Sequence, residues 1–337
     1  MAKENIVVFH PREWSYADYA KDARFKYHHI SIGGKIPRKV FGTPTYDGYA
    51  EVVTKEGIAE FKEAVIRLRP RVVLFWMHAS LPVDVLFWAK EQVKGLKIIQ
   101  WYSNHRFQMQ KGVLRTKRAI DALLMNSAEP QQFNMYKLAK IKHVYTFYDG
   151  FEMDTPLLDV PQDHDCFFGG YSYVKKGVKD SAFRFPYGTL RHDFIYAVAK
   201  KFKLALYSGA KNWPGLKVTP PVFHPEYTTA MRRSKVNLNI NHFGFYKAYT
   251  RRTIRSIFSG RAHVTFYIPG MEDDFVNGKH LMWFHKIEEG LEQIDWLLKH
   301  DKEREEMAKN CRNLALSKFT FKHRLLQFED ILEDLGV

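Results

Sequence analysis

Between Tyr249 and Phe275 the sequence reads YTRRTIRSIFSGRAHVTFYIPGMEDDF, and its basic residues sit where a helix needs them least. Thr250 has the chemistry of a helix N-cap, Ile254, Ile257 and Phe258 make an apolar stripe at helical spacing, and Gly260 suits the C′ stop. A helix start already carries partial positive charge and favours acids in its first turn. Here the first turn carries Arg251 and Arg252, with Arg255 one turn further on. Backbone N–H groups and guanidiniums directed to one place are the means of holding a phosphate. The competing reading is a solvated basic turn; the opposition of charge and dipole favours a ligand. Lys247, just upstream, could reach the same anion. Gly169-Gly170 follows one apolar run and Gly209 follows another, so either could let a phosphate or sugar approach the backbone.

Histidine suits removal of a proton from a hydroxyl at neutral pH. His78 closes the run VVLFW, and Asn104-His105 closes KIIQW, so all three are candidates for the catalytic edge of a sheet. His10 and Asp84 are further candidates of lower rank. Lys175, Lys176 and Gly177 form a basic, glycine-containing loop. The chain has no P-loop, no GxGxxG, no Ser-His-Asp spacing and no Cys/His metal cluster, and no metal is expected.

Segments that alternate between strand-like and helix-like patterns carry these residues. Ile6–Phe9, Val72–Trp76, Lys97–Trp101 and Ala122–Met125 read as strands, with helices at Val83–Val93 and from Glu129-Pro130 to Lys140. After a loop near Tyr148–Pro161 the alternation restarts. Strands are expected at Asp165–Phe168, Leu204–Tyr207, Val236–Ile240 and Ala262–Tyr267, with helices at Leu190–Lys201 and Tyr227–Ser234. A final helix is expected at Lys318–Leu335. Continuous apolar strands between helices predict an α/β chain with parallel, doubly wound sheets. The expected division is an N-terminal domain over 1–155, a second over 162–317, and a helix over 318–337 packing back on the first.

The chain of 337 residues is 45% hydrophobic and 15% aromatic, enough for two cores and too much for disorder as a whole. No run of about 18 apolar residues predicts a membrane span. MAKENIVVFHP enters a strand without a signal-peptide core, and two unpaired cysteines fit a reducing cytoplasm. Lys plus Arg exceeds Asp plus Glu by 15, an excess that attracts polyanions. Arg106, Lys111, Arg115, Lys117 and Arg118, in HRFQMQKGVLRTKR, are the candidates for contact with nucleic acid.

The second half resembles the C-terminal domain of GT-B-fold glycosyltransferases of the spore-maturation (CgeB-like) type. The likeness runs from CFFGGYSY (166–173) through Arg191, LYSGAKNW (206–213) and PEYTTAMRRSKVNLNIN (225–241) to RRTIRSIFSGRAHVTFYIPGMEDDF and the tail from Asp295 to Leu325. It implies two Rossmann-like domains facing a central cleft, a nucleotide-sugar donor (a UDP-sugar first) and no further cofactor. Arg252 and Gly260 fall on the family's RxxExxxxG pattern, whereas Arg255 stands where an acid is expected; Glu272, Asp273 or Asp274 could supply that carboxylate. Under this resemblance the anion awaited by the arginines is the donor diphosphate. The implied reaction moves a sugar to an acceptor hydroxyl. The lead acceptor is a hydroxymethylated DNA base, as in phage DNA glycosyltransferases of the same architecture, which places the enzyme in a host cytoplasm. The alternatives are a cell-surface or spore glycan, with the basic face in peripheral contact with a membrane, and a non-catalytic nucleic-acid-binding protein on a degenerate fold.

Overall fold

The computed structural model describes residues 3–10, 23–31, 33–40, 43–76, 81–102, 109–148, 157, 159–172, 174, 186–209, 213–222, 226–241 and 243–337. The chain divides into two units, Met1–Gly150 with Phe321–Val337, and Phe151–Thr320.

In the first unit, β1 (Asn5–His10), β2 (Lys26–Ser31), β5 (Val72–Trp76), β6 (Lys97–Tyr102), β7 (Ala122–Met125) and β8 (His143–Thr146) form one sheet in the order β2-β1-β5-β6-β7-β8. Every pair in it is parallel. Alternate residues point to opposite faces. Val7, Phe9, Val73, Phe75, Ile98 and Leu123 therefore meet one set of helices: α1 (Lys55–Leu68), α2 (Val83–Gln92), α3 (Lys111–Thr116) and α4 (Pro130–Leu138). Helix α1 forms because Thr54 caps it, its Oγ1 accepting the Gly57 N–H at 3.0 Å, while Phe61, Ala64 and Val65 give it a buried stripe. Complete burial of a side chain such as Phe61 stabilises by about 1.5–3 kcal/mol.

The other face, with Ile6, Val8, Leu74, Ile99 and Trp101, is covered by the last helix, α10 (Phe321–Asp334), through Leu325, Phe328, Ile331 and Leu332. Its Glu329 is buried and held by Arg24, whose backbone N–H donates to Oε1 at 2.9 Å and whose Nε donates to Oε2 at 3.1 Å. A separate antiparallel hairpin joins β3 (Gly33–Val40) and β4 (Thr43–Val53).

The second unit holds β9 (His164–Gly169), β10 (Leu204–Tyr207), β11 (Ser234–Asn239), β12 (Ala262–Phe266) and β13 (Met282–Phe284), ordered β10-β9-β11-β12-β13 and parallel throughout. Helices α5 (Gly188–Lys201), α6 (Glu226–Arg232), α7 (Arg251–Phe258), α8 (Ile287–Lys299) and α9 (Asp301–Lys318) surround it. One face of β11 and β12 is apolar, with Val236, Leu238, Ala262 and Val264 against Phe194, Ile294 and Leu297. The face toward α7 is polar. The Asn237 amide donates to Ser259 Oγ at 2.8 Å, and the Asn239 amide donates to Thr253 Oγ1 at 3.2 Å and Thr265 Oγ1 at 3.3 Å.

His263 stands beside Asn237 in that polar layer, fully buried, and neither ring nitrogen has a hydrogen-bond partner among the described residues. Burial holds its pKa down at about 3, against the ordinary 6.5. The folded chain therefore keeps His263 neutral where the unfolded chain takes a proton. Stability from this source is complete above pH 6.5 and is lost as pH falls toward 3, by up to about 1.4 kcal/mol per unit. Urea denaturation of wild type and His263→Leu at pH 7, 6 and 5 is expected to show the wild type losing its margin over the variant as pH falls. A margin that does not change would mean that His263 titrates normally.

The structure corrects several boundaries. The helix expected over Lys318–Leu335 is present as α10 but starts three residues later, at Phe321, because Lys318 still closes α9. The helix expected over Tyr227–Ser234 stops at Arg232, because Ser234 already pairs with His164 in the sheet. Strands β2, β3, β4, β8 and β13 and helices α1 and α3 were not expected from the sequence.

Candidate anion site at the carboxyl edge of the second sheet

Strand β9 delivers Gly169 and then Gly170 to the carboxyl edge of the second sheet. The Gly170 N–H donates to the Tyr207 carbonyl at 3.0 Å, and the Trp213 indole N–H donates to the Gly170 carbonyl at 2.9 Å, so the glycine is fixed from both sides. Neither glycine has room for a side chain. A Cβ on Gly169 would lie 2.6 Å from the Tyr227 hydroxyl, and one on Gly170 would lie 2.6 Å from Arg252 Nη2.

Helix α7 brings Arg252 there. Thr250 is its N-cap, with Oγ1 accepting the Thr253 N–H at 3.4 Å, and Gly260 follows the helix with φ 69°. The Arg252 guanidinium lies 5.2 Å from the Phe168 ring centroid and donates to Asn239 Oδ1 at 3.4 Å. Among the described residues no carboxylate pairs with it. Arg191, fully buried on α5, lies 5.9 Å from the same ring and donates to the carbonyls of Tyr171 (3.1 Å) and Ile240. Phe168 thus lies against two guanidiniums that donate to neutral oxygens, in partly dehydrated surroundings where an added anion would be attracted strongly. Arg255, one turn after Arg252, stacks on Tyr227 at 5.2 Å. Arg251 is exposed.

Lys247 has a different environment. It adopts φ 49°, its N–H donates to the Pro269 carbonyl at 2.7 Å, and its ammonium lies 3.1 Å from Asp273 and 3.3 Å from Asp274. Burial opposes the charge, but hydrogen bonds and attraction from the two aspartates outweigh it and raise the pKa. Each acid of the Glu272–Asp274 run also receives a tyrosine hydroxyl: Tyr267 at 2.9 Å on Glu272, Tyr246 at 2.7 Å on Asp273, and Tyr249 at 2.8 Å on Asp274. The run is a clamp between two loops, and Lys247 is part of it. Gly270, with φ 80°, is packed under the Tyr246 ring. Gly270→Ala is expected to cost about 2–4 kcal/mol, from positive φ plus collision with that ring. Chemical denaturation measures it; a change under 0.5 kcal/mol would mean that the clamp yields freely.

Three residues to which the sequence assigned no role belong to this edge. Ser208 follows β10 and is buried, its hydroxyl without a partner among the described residues. Ser172 is paired with His192, Oγ to Nδ1 at 2.8 Å, and His192 stacks on Trp213. The motifs CFFGGYSY (166–173) and LYSGAKNW (206–213) span Ser172 and Ser208 but single out neither. Gly209, two residues past β10, is half-buried.

His78, Asn104, His105 and Arg106 lie outside the described residues, as do Lys175, Lys176 and Gly177 in the second unit. The His10 backbone ends β1, and Asp84 is exposed in the first turn of α2. Lys111 opens α3 and is exposed, Arg115 is exposed in its last turn, and Lys117 and Arg118 follow it on the way into β7. Because β7 is parallel to its neighbours, Lys117 and Arg118 approach the edge where strands begin, opposite the carboxyl edge where ligands of such sheets bind.

Both cysteines are buried, and burial raises both thiols, Cys311 to about 12, so neither is suited to nucleophilic work. Among the described residues no group of three His, Cys, Asp or Glu is placed to hold a metal, and no helix is long and apolar enough to cross a membrane.

Residues 191–330 match the family described as glycosyl transferase-like. No curated protein matches the chain. Among solved structures, sucrose-phosphate synthase from Thermosynechococcus elongatus superposes with a TM-score of 0.61 at 12% identity, covering 99% of each chain. Anabaena HepE in complex with UDP-glucose gives 0.59 at 10% identity, over 98% of this chain and 99% of that one. T4 phage BGT in complex with its UDP-glucose substrate gives 0.57 at 11% identity, over 98% of each. The fold is GT-B, with two parallel α/β units.

Proposed function

We propose that the chain is a glycosyltransferase that moves a sugar from a nucleotide-sugar, a UDP-sugar first, to an acceptor hydroxyl. The observation that carries this reading is Arg252: a guanidinium at a helix start, packed on Gly170 with no carboxylate partner among the described residues. A donor diphosphate is an anion of suitable charge for it. As the glycosidic bond breaks, charge grows on the departing diphosphate, and fixed cations and N–H groups stabilise that charge more than they stabilise the intact donor. Support comes also from the glycosyl transferase-like region over 191–330 and from structural likeness to proteins solved with UDP-glucose. Arg251 would add long-range attraction from the exposed side of α7. The spore-maturation subtype rests on the sequence motifs alone.

For the acceptor, a hydroxymethylated DNA base is our first reading, supported by the charge excess of 15 and by the architecture shared with T4 phage BGT. Such an enzyme would have to extrude its target base. A cell-surface or spore glycan is the second reading, favoured by the position of Lys117 and Arg118 toward the strand-start edge. Incubating the chain and a panel of nucleotide-sugars with hydroxymethylated and unmodified duplexes of one sequence, then weighing the nucleosides, separates the readings. Addition of a sugar mass to the modified duplex alone is the expected result. No transfer to either duplex with any donor would exclude the DNA acceptor.

A further inference from the structure

We propose that the strand-start edge of the first sheet, where α2, α3 and α4 end, is a docking surface for an anionic lipid membrane. The proposal does not depend on the glycosyltransferase reading. Strands β6, β7 and β8 are parallel neighbours, so their beginnings share one edge, and the helix preceding each ends beside it. That edge exposes Lys94, Arg118, Lys137, Lys140 and Lys142, and among the described residues none of these pairs with a carboxylate. Among the described residues the acids nearby are Glu91 and Asp121, and Asp121 is occupied by Lys90 at 2.9 Å and the Ile98 N–H at 2.7 Å. The acids of α10 are on the opposite face, Glu333 with Arg24 and Asp334 receiving the Tyr145 hydroxyl.

Cations near helix C-termini are favoured by the dipole, which accounts for Lys137 and Arg118. It does not account for Leu138, which is 84% exposed in the midst of the lysines. The turn imposes that exposure. Ala139 and Ile141 are buried, Ile141 N–H donates to the Tyr136 carbonyl at 3.1 Å, and Lys140 adopts φ 69°. With those two residues fixed inward, Lys137, Leu138, Lys140 and Lys142 face out together. A nucleic-acid backbone would neutralise the lysines but leave Leu138 in water. A bilayer interface accepts both, headgroup phosphates for the lysines and the acyl boundary for the leucine. Docking there leaves the carboxyl edge of the same sheet free.

The test is co-sedimentation of the full chain with phosphatidylcholine vesicles, with and without phosphatidylserine. Binding is expected only with the anionic lipid, and it should weaken as salt is raised. The triple variant Lys137→Glu, Lys140→Glu, Lys142→Glu, checked for an unchanged thermal midpoint, should partition at least about tenfold less. Leu138→Ser, which keeps every charge, should lower partitioning severalfold. Absence of wild-type binding, or equal binding by the triple variant, would overturn the proposal. So would duplex DNA binding that the triple variant loses while vesicles bind neither protein, a result that would assign the patch to nucleic acid.

Discussion

Replacing Arg252 with Ala is expected to weaken nucleoside diphosphate binding by about 10- to 100-fold, and to lower kcat/KM further when a sugar is transferred. The first figure follows from removing a charge-assisted hydrogen bond from a partly dehydrated site, about 1.5–3 kcal/mol. The second follows because the lost cation faces a diphosphate whose charge increases in the transition state; removing one such donor typically costs about 10²–10³ in turnover. Folding should survive, since Arg252 is half-buried and its hydrogen bond to Asn239 is long, 3.4 Å. Arg252→Lys keeps the charge but loses the planar fork that lies on Phe168, so it should recover only part of the affinity. Calorimetric titration of wild type and both variants with UDP measures this. Equal affinities in all three would remove Arg252 from the site.

A larger effect is expected on the acceptor side. His78→Ala or His105→Ala should lower turnover by about 10²–10⁴-fold while leaving donor affinity within a few-fold of wild type. In sequence, His78 follows β5 by two residues and His105 follows β6 by three, and the continuation of such strands is where α/β sheets meet their ligands. A base acts on the acceptor proton, so its loss falls on kcat rather than on diphosphate binding. Steady-state kinetics with each variant decides between the two histidines. Near-normal turnover in both would place the base elsewhere. Asn104 is not basic, and Asn104→Ala should act through positioning alone.

The sequence carried much of the frame and only part of the site. VVLFW, KIIQW and ALLM were legible because strands of a parallel sheet are buried on both faces and read as unbroken apolar runs. Helix α7 was legible from its Thr250 cap, its stripe and Gly260, all local features. Strand β2, KYHHIS, was not, because an edge strand is covered less and keeps polar residues. The hairpin β3–β4 contains glycine and proline and pairs with itself, so it shows no core-facing alternation. At the site, Arg252 was visible because its conflict with the helix dipole is local. Arg191 was not visible as a second cation against Phe168, since that depends on packing across more than 20 residues of chain. Lys247 read as a phosphate ligand only until its partners, Asp273 and Asp274, came within 3.3 Å from the loop after β12.

The proposed role of the arginine edge of the second sheet is to hold the diphosphate of a nucleotide. The most direct measurement is calorimetric titration of the wild-type chain with UDP, GDP and ADP, each against its own nucleoside. One diphosphate is expected to bind at least about 100-fold more tightly than its nucleoside, because the phosphates would supply most of the charge-assisted contacts. Equal affinity for a diphosphate and its nucleoside, or no binding of any of the six, would contradict it.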